Sequence, residues 1–333
     1  FDYYVRNTKN MVGNAPELPA LLGTAVPVTN NTDLRTLGWE LAIGWRDHLS
    51  NGLNYSVNFN LSDARTKITR YPNNPTQSLS TYIQGRYINE IWGYKTIGIA
   101  KTQDEMDKYM ATLKNGGQNA LGSNWGAGDI MYADLNGDGK ISSGSYTLKD
   151  HGDLKLIGNS TPRYLFGLDM NASWKGFDLR VFLQGVMKRD CWVGGNYLFG
   201  ATSGGQWWSA GITKVKDYFR DADTWSVKNG YETENTDAYL PRPVYSDKNL
   251  QIQTRYLQNA AYIRLKNLQI GYTIPRILTS RWGVNNLRVF FSGENLLTGT
   301  KLAKQFDPET VFSYSGNGYP LSKTYSFGLS ITF

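Results

Sequence analysis

The segment Arg163-Tyr-Leu-Phe-Gly-Leu-Asp-Met-Asn-Ala-Ser-Trp174, followed by Lys175-Gly176 and then Phe177-Asp-Leu-Arg-Val-Phe-Leu-Gln184, decides the fold class. Tyr164, Phe166, Leu168, Met170, Ala172 and Trp174 alternate with Arg163, Leu165, Gly167, Asp169, Asn171 and Ser173. Side chains of an extended chain point to opposite sides in turn, so this period of two gives a strand with one apolar and one polar face. After the Lys-Gly turn, Phe177, Leu179, Val181 and Leu183 continue one face while Asp178, Arg180 and Gln184 continue the other. Two such runs joined by so short a turn form a hairpin.

Working outward, the same test opposes Trp39, Leu41, Ile43 and Trp45 to Glu40, Gly44 and Arg46. Leu53, Tyr55, Val57, Phe59 and Leu61 then oppose Asn54, Ser56, Asn58, Asn60 and Ser62. A third pair joins Tyr262–Ile274 to Leu287–Leu297 across a turn holding Pro275 and Gly283. Arg264 and Lys266 break the alternation there, and a bulge would restore its phase. The last strand is the most regular, with Tyr325, Phe327, Leu329, Ile331 and Phe333 against Thr324, Ser326, Gly328, Ser330 and Thr332. Phe1 to Arg6 adds one more strand, so eight are expected. Connections after the second, fourth and sixth strands are about ten residues or fewer, and the others are far longer. Short turns at one end and long loops at the other characterise outer-membrane barrels, with the long loops outside and the C-terminus periplasmic.

Composition agrees: aromatic residues make up 14% of the chain, with Tyr 22 and Trp 10, yet the mean hydropathy is −0.45. Rings spread through polar strands suit a transmembrane antiparallel β-barrel and not the continuous aliphatic runs of an α/β enzyme. No window approaches the ~18 apolar residues of a membrane-crossing helix. The net charge is +7, but the 35 basic residues form no arm or stripe, which argues against nucleic-acid binding. Cys191 stands alone and reads as a packing residue. His48 and His151 are the two histidines, and Gly116-Gly117 lacks the Lys and Ser of a phosphate loop, so no catalytic constellation emerges.

Asp134-x-Asn136-x-Asp138-Gly139-Lys140-Ile141 has oxygen ligands at every second position and a glycine for a sharp turn, as in the first half of a calcium loop. The twelfth position is Ser145 and not an acid, so a strict EF-hand is excluded. The expected shell is Asp134, Asn136, Asp138, the Lys140 carbonyl, Ser142 or a water, and Asp150 or Asp153; the metal-free alternative is an Asx-rich turn. Gln206-Trp207-Trp208 and Trp225, with Tyr231 nearby, are candidate external rings for a sugar face or a partner protein. Arg180 and Gln184, with Asn58, Asn60, Arg288 and Glu294, would line a lumen. Asp104 to Leu113 reads as a short helix packed through Met106 and Met110.

The chain also resembles a family, the SusC/RagA-like TonB-dependent outer-membrane transporters, along essentially its whole length. The landmarks are Tyr3-Tyr4-Val5-Arg6; Gly38-Trp39-Glu40-Leu41; Ile91-Trp92-Gly93-Tyr94; Gly128-Asp129-Ile130; Ile157-Gly158-Asn159-Ser160-Thr161-Pro162-Arg163-Tyr164; Arg264-Leu265-Lys266-Asn267; and Gly293-Glu294-Asn295-Leu296. The resemblance implies the last eight strands of a barrel of about twenty-two, with residues 1–333 as a C-terminal barrel portion and the plug and TonB box outside them. It further implies active import of a glycan fragment or oligopeptide, a SusD-like surface lipoprotein as partner, and coupling to the TonB complex. Tyr325, Phe327, Leu329, Ile331 and Phe333 resemble the signal by which such barrels are inserted. The rival expectation is a self-contained eight-stranded barrel acting as an adhesin or anchor.

Overall fold

The computed structural model describes residues 1–14, 28–194, 196–200, 213–312 and 318–333. Its strands are β1 (Asp2–Asn14), β2 (Val28–His48), β3 (Asn54–Arg70), β4 (Glu90–Tyr94), β5 (Thr96–Ile99), β6 (Ile130–Tyr132), β7 (Leu154–Asn159), β8 (Arg163–Trp174), β9 (Phe177–Lys188), β10 (Asp190–Cys191), β11 (Gln258–Asn259), β12 (Tyr262–Ile274), β13 (Asn286–Thr300) and β14 (Thr324–Thr332). Helix α1 covers Gln103–Thr112. The long strands form one 8-stranded sheet in the order β1-β2-β3-β8-β9-β12-β13-β14, all pairs antiparallel. No described helix is long and apolar enough to cross a membrane.

Register aligns the apolar residues of successive strands into rows. Trp45 lies opposite Val57, Val57 opposite Met170, Met170 opposite Val181, and Val181 opposite Leu268. Phe177, Tyr272, Val289 and Leu329 make a second row nearer the short turns. A slip occurs between Leu265 and Asn267 against both neighbours of β12, where the broken alternation calls for a bulge. It carries the apolar face from Ile263 and Leu265 to Leu268, Ile270, Tyr272 and Ile274. On β13 the irregularity is absorbed at Asn295, whose φ is 53°, a left-handed conformation that Asn tolerates better than most residues.

Three strands outrun their predicted ends by about eight residues or more. Arg6 to Asn14, Val28 to Gly38 and Asp63 to Arg70 extend β1, β2 and β3, pairing with one another as they go. These extensions are rich in Thr, Asn, Arg and Asp, so they carry no apolar alternation to read. Among the described residues β1 pairs only with β2, and β14 only with β13. The sheet is an open wall, not the small closed barrel of the rival expectation.

The three described long connections, after β3, β9 and β13, fold together as a cap. Tyr94, Met106, Ile130 and Tyr132 from the first, Cys191, Val193, Leu198 and Tyr256 from the second, and Leu302, Phe306 and Val311 from the third share one buried apolar core. Small antiparallel ladders, β4 with β7, β5 with β6 and β10 with β11, fix their backbones. Helix α1 begins where Thr102 accepts from the Glu105 amide at 3.1 Å and Glu105 accepts from the Lys101 amide at 2.6 Å. Its Met106 is fully buried, and Met110 packs at the edge of the same core.

Candidate functional site

The polar face of the wall carries the predicted lumen residues, and most of its charges are matched. Arg180 donates to Asp169 at 2.9 Å. Arg288 grips Asp178 through Nε at 2.9 Å and Nη2 at 2.6 Å, reaching from β13 to β9 across the intervening β12. The residue of β12 beneath this pair is Gly271, where a Cβ would strike both partners. Arg180 lines a hollow of about 350 Å³ with Arg46, Asn54, Ser56, Asn171 and Gln269. Gln184 lines a separate hollow of about 500 Å³ with Asn60, Ser62, Arg189, Tyr262 and Glu309. The two residues share a face but not a site. At the rim, buried Arg264 meets Asp307 at 2.8 Å and Glu309 at 2.7 Å, while Lys266 meets Glu309 at 2.8 Å. The bulged segment of β12 thereby ties wall to cap.

The centre of the cap is a carboxylate that sequence reasoning passed over except as part of a motif. Asp129 has no exposed surface, and it accepts from Arg242 Nε at 2.8 Å and Nη2 at 2.6 Å. It also accepts from Lys248 Nζ at 2.8 Å, Asn249 Nδ2 at 2.9 Å and the Gly126 amide at 2.9 Å. Burial alone would raise its pKa, but the hydrogen bonds from Arg242, Lys248 and Asn249 together hold it below the usual carboxylate range. Burial pulls the Lys248 ammonium below its usual range despite the pull of Asp129. Gly128, at φ +82°, completes the motif: a Cβ there would collide with Phe219 and Arg242. Burial pushes the Cys191 thiol up to about 11, as befits a packing residue and not a nucleophile.

The Asp134 loop is ordered by its own amides. Asp134 accepts from Gly137 at 2.7 Å and Gly139 at 2.9 Å, Asn136 from Asp138 at 3.0 Å, and Asp138 from Lys140 at 3.0 Å. Asp153 enters from the opposite side, fully buried, accepting from the amides of Leu135 at 2.7 Å and Ser142 at 2.8 Å. Burial raises its pKa, and the nearby charge of Asp134 raises it further. Asp150 turns away to the Ser145 amide at 2.9 Å and its hydroxyl. Of the two closing acids offered by the sequence, Asp153 is the one beside the loop. Ser142 Oγ accepts from the Gly144 amide at 3.3 Å. Among the described residues no three His, Cys, Asp or Glu side chains gather closely enough to hold a metal by themselves, so a calcium shell here needs the Asn136 and Lys140 oxygens as well.

Of the candidate external rings, Gln206, Trp207 and Trp208 lie outside the described residues. Trp225 and Tyr231 stack at 5.4 Å with 21° between their planes, and they are 69% and 72% exposed. On β14, Tyr325, Phe327, Leu329 and Ile331 are all exposed on one face, with exposed Phe333 directly after the strand and Phe291 of β13 between the rings of Tyr325 and Phe327.

Comparison with known proteins agrees with this architecture. No family profile matches the chain. TonB-dependent receptor P3 of Formosa agariphila is 26% identical over 357 residues, covering 100% of this chain and 32% of the receptor. TonB-dependent receptor P26 of the same organism is 24% identical over 355 residues, with the same coverage. The structure of the RagAB peptide transporter superposes with a TM-score of 0.67 at 21% identity, over 99% of this chain and 33% of that one. The open-open state of the RagAB peptide importer gives 0.66 at 21% identity, with 99% and 32% covered. The chain thus spans about a third of the length of the proteins it matches, and these relatives are receptors and transporters, not enzymes. Likeness to TonB-dependent receptors thus runs along the whole chain, and its wall and cap share the fold of the matching third of the RagAB peptide transporter.

Proposed function

We propose that these residues supply part of the wall and of the extracellular cap of an outer-membrane barrel of about twenty-two strands that imports a nutrient at the expense of TonB-transmitted energy. The observation that carries this reading is the open sheet whose apolar side chains line up in cross-strand rows on one face. Lipid tolerates no unpaired strand edge, so β1 and β14 take their neighbours from the remainder of a longer protein. The short turns and the C-terminus then face the periplasm and the cap faces outward, where a SusD-like lipoprotein closes over it. The cargo is an oligopeptide or a glycan fragment; the peptide class is tested first because the neighbouring fold is that of a peptide transporter. The regular aromatic face of β14 through Phe333 is the insertion signal in this reading. The test is proton-motive-force-dependent uptake of labelled oligopeptides and oligosaccharides by cells carrying the full-length receptor and its lipoprotein. Uptake that persists after the proton gradient is collapsed, or a receptor absent from the outer membrane, overturns the proposal.

The same reading gives the Asp134 loop a structural calcium ion held by Asp134, Asn136, Asp138, the Lys140 carbonyl and Asp153. The support is chemical: Asp153 is buried beside Asp134, and a cation would relieve both the burial and the repulsion. Asp134→Asn with Asp138→Asn is expected to raise protease cleavage in the cap and to remove its calcium dependence, leaving the heat stability of the wall unchanged. Equal cleavage with calcium and with chelator in the unsubstituted protein would leave only the metal-free turn.

A further inference from the structure

We infer that the wall holds a phospholipid molecule of the leaflet on its short-turn side, with acyl chain and phosphate taken by two adjoining features. This rests on the membrane reading above. The first feature is an apolar hollow of about 530 Å³ on the outer face of β12, β13 and β14, bounded by Ile270, Tyr272, Val289, Phe291, Phe327 and Leu329. Register pairs these residues directly: Ile270 with Phe291 and Phe291 with Phe327, Tyr272 with Val289 and Val289 with Leu329. Three rings, Tyr272, Phe291 and Phe327, and three aliphatic side chains, Ile270, Val289 and Leu329, make this trough apolar, a lining that an acyl chain fills.

The second feature is the connection that follows β12. Residues 275–285 carry exposed Arg276 and Arg281 beside Ile277, Leu278 and Trp282, which are 77%, 51% and 69% exposed. Arg276 spends one donor on Asn285 Oδ1 at 3.1 Å. Arg281 makes no hydrogen bond or ion pair among the described residues, and neither this turn nor the neighbouring Lys175-Gly176 turn contains a carboxylate. Exposed apolar side chains beside unmatched guanidinium groups are the composition of an interfacial anchor, in which the cations meet phosphate. From Ile270 to the strand's end at Ile274 is about 13 Å at ~3.3 Å per residue. That lies within the ~15 Å hydrocarbon depth of one leaflet. The hollow and the cations thus stand at acyl-chain and headgroup depth of the same leaflet.

The test uses the full-length receptor purified from outer membranes in detergent, with dioleoylphosphatidylglycerol titrated in and bound lipid counted by native mass spectrometry. Unsubstituted receptor is expected to keep one phosphatidylglycerol after the others are lost. The double variant Arg276→Gln, Arg281→Gln should bind it about 30-fold more weakly, from roughly a factor of five per cation near a lipid phosphate. Val289→Trp, which fills the trough without touching the cations, should abolish the retained lipid, whereas Ile43→Trp on a distant part of the same face should not. Equal retention in all four proteins overturns the lipid seat while leaving the barrel intact. Retention of lipid A in place of the phospholipid also overturns it, because it puts the turn in the other leaflet. A receptor that never reaches the outer membrane overturns the membrane reading itself.

Discussion

Wall and cap are made of the same amino acids used in opposite ways. In the wall, Ile270 is 46% exposed and Phe327 85% exposed, whereas in the cap Ile130, Tyr132 and Met106 have no exposed surface. The wall satisfies its backbone with one continuous ladder and turns its apolar side chains away from its polar face. The cap has short ladders, so it buries amides and charges to complete its hydrogen bonding: Gln118 bridges Ile130 and Tyr132, Gln253 reaches the Tyr132 hydroxyl, and Asn249 holds Asp129. The difference is the one expected of a chain whose wall meets lipid and whose cap meets water, as proposed above. In lipid the outward face supplies no driving force for folding and the ladder must be complete, whereas in water the buried core does most of the work.

The contrast is broken most severely at Asp129. Asp129→Ala leaves Arg242 and Lys248 uncompensated in the interior and is expected to destabilise the cap by about 3–5 kcal/mol, seen as rapid cap proteolysis while the wall keeps its heat-modifiable mobility on gels. The sign with pH follows from the lowered pKa of Asp129. Its contribution is complete above the ordinary Asp range near 3.8 and is lost as pH falls through the depressed folded value, so cap protection should survive mild acid and fail only in strong acid. Coincident loss of wall and cap in that variant would show that they are one cooperative unit. Next comes Ile270→Arg, expected to cost about 2–4 kcal/mol if the site lies at the bilayer midplane. The measurement is folding into lipid bilayers against denaturant, and a neutral result would mean that this face does not meet lipid. The mildest change is Thr102→Ala, which removes the cap of α1 and should cost about 1 kcal/mol. Hydrogen exchange should then quicken in α1 and stay unchanged in β8 and β9.

How much of this could be read from the chain divides along the same line. β8 and β12 occupy the ranges their alternation marks, and the bulge beside Lys266 was visible as a broken phase, because a strand with one apolar and one polar face writes its environment in a simple period. The extensions of β1, β2 and β3 were invisible because polar residues on both faces carry no period. The cap was legible only in α1, where Met106 and Met110 mark the packed face, and in the local spacing of the Asp134 turn. Its core joins residues as distant as Tyr94 and Phe306, and no window spans that separation. The role of Asp129 depends on cations more than a hundred positions away, so Gly128-Asp129-Ile130 could be noticed as a landmark without revealing why. The Asp134 loop was readable because its donors and acceptors are near neighbours. The choice between Asp150 and Asp153 was not, since it depends on which acid the fold buries.

Gly271 has a consequence for how the wall finds its register. The ion pair between Asp178 and Arg288 closes across β12 at the one step where that strand has no side chain in the way. A one-residue misalignment of β12 would turn its whole apolar set to the wrong side. A two-residue misalignment would keep the faces correct and escape that penalty, but it would slide Gln269 or Thr273 under the clasp. The glycine therefore works as a keyway: of the even-numbered slippages that hydrophobic patterning leaves open, it rejects the nearest two while the sheet is being assembled.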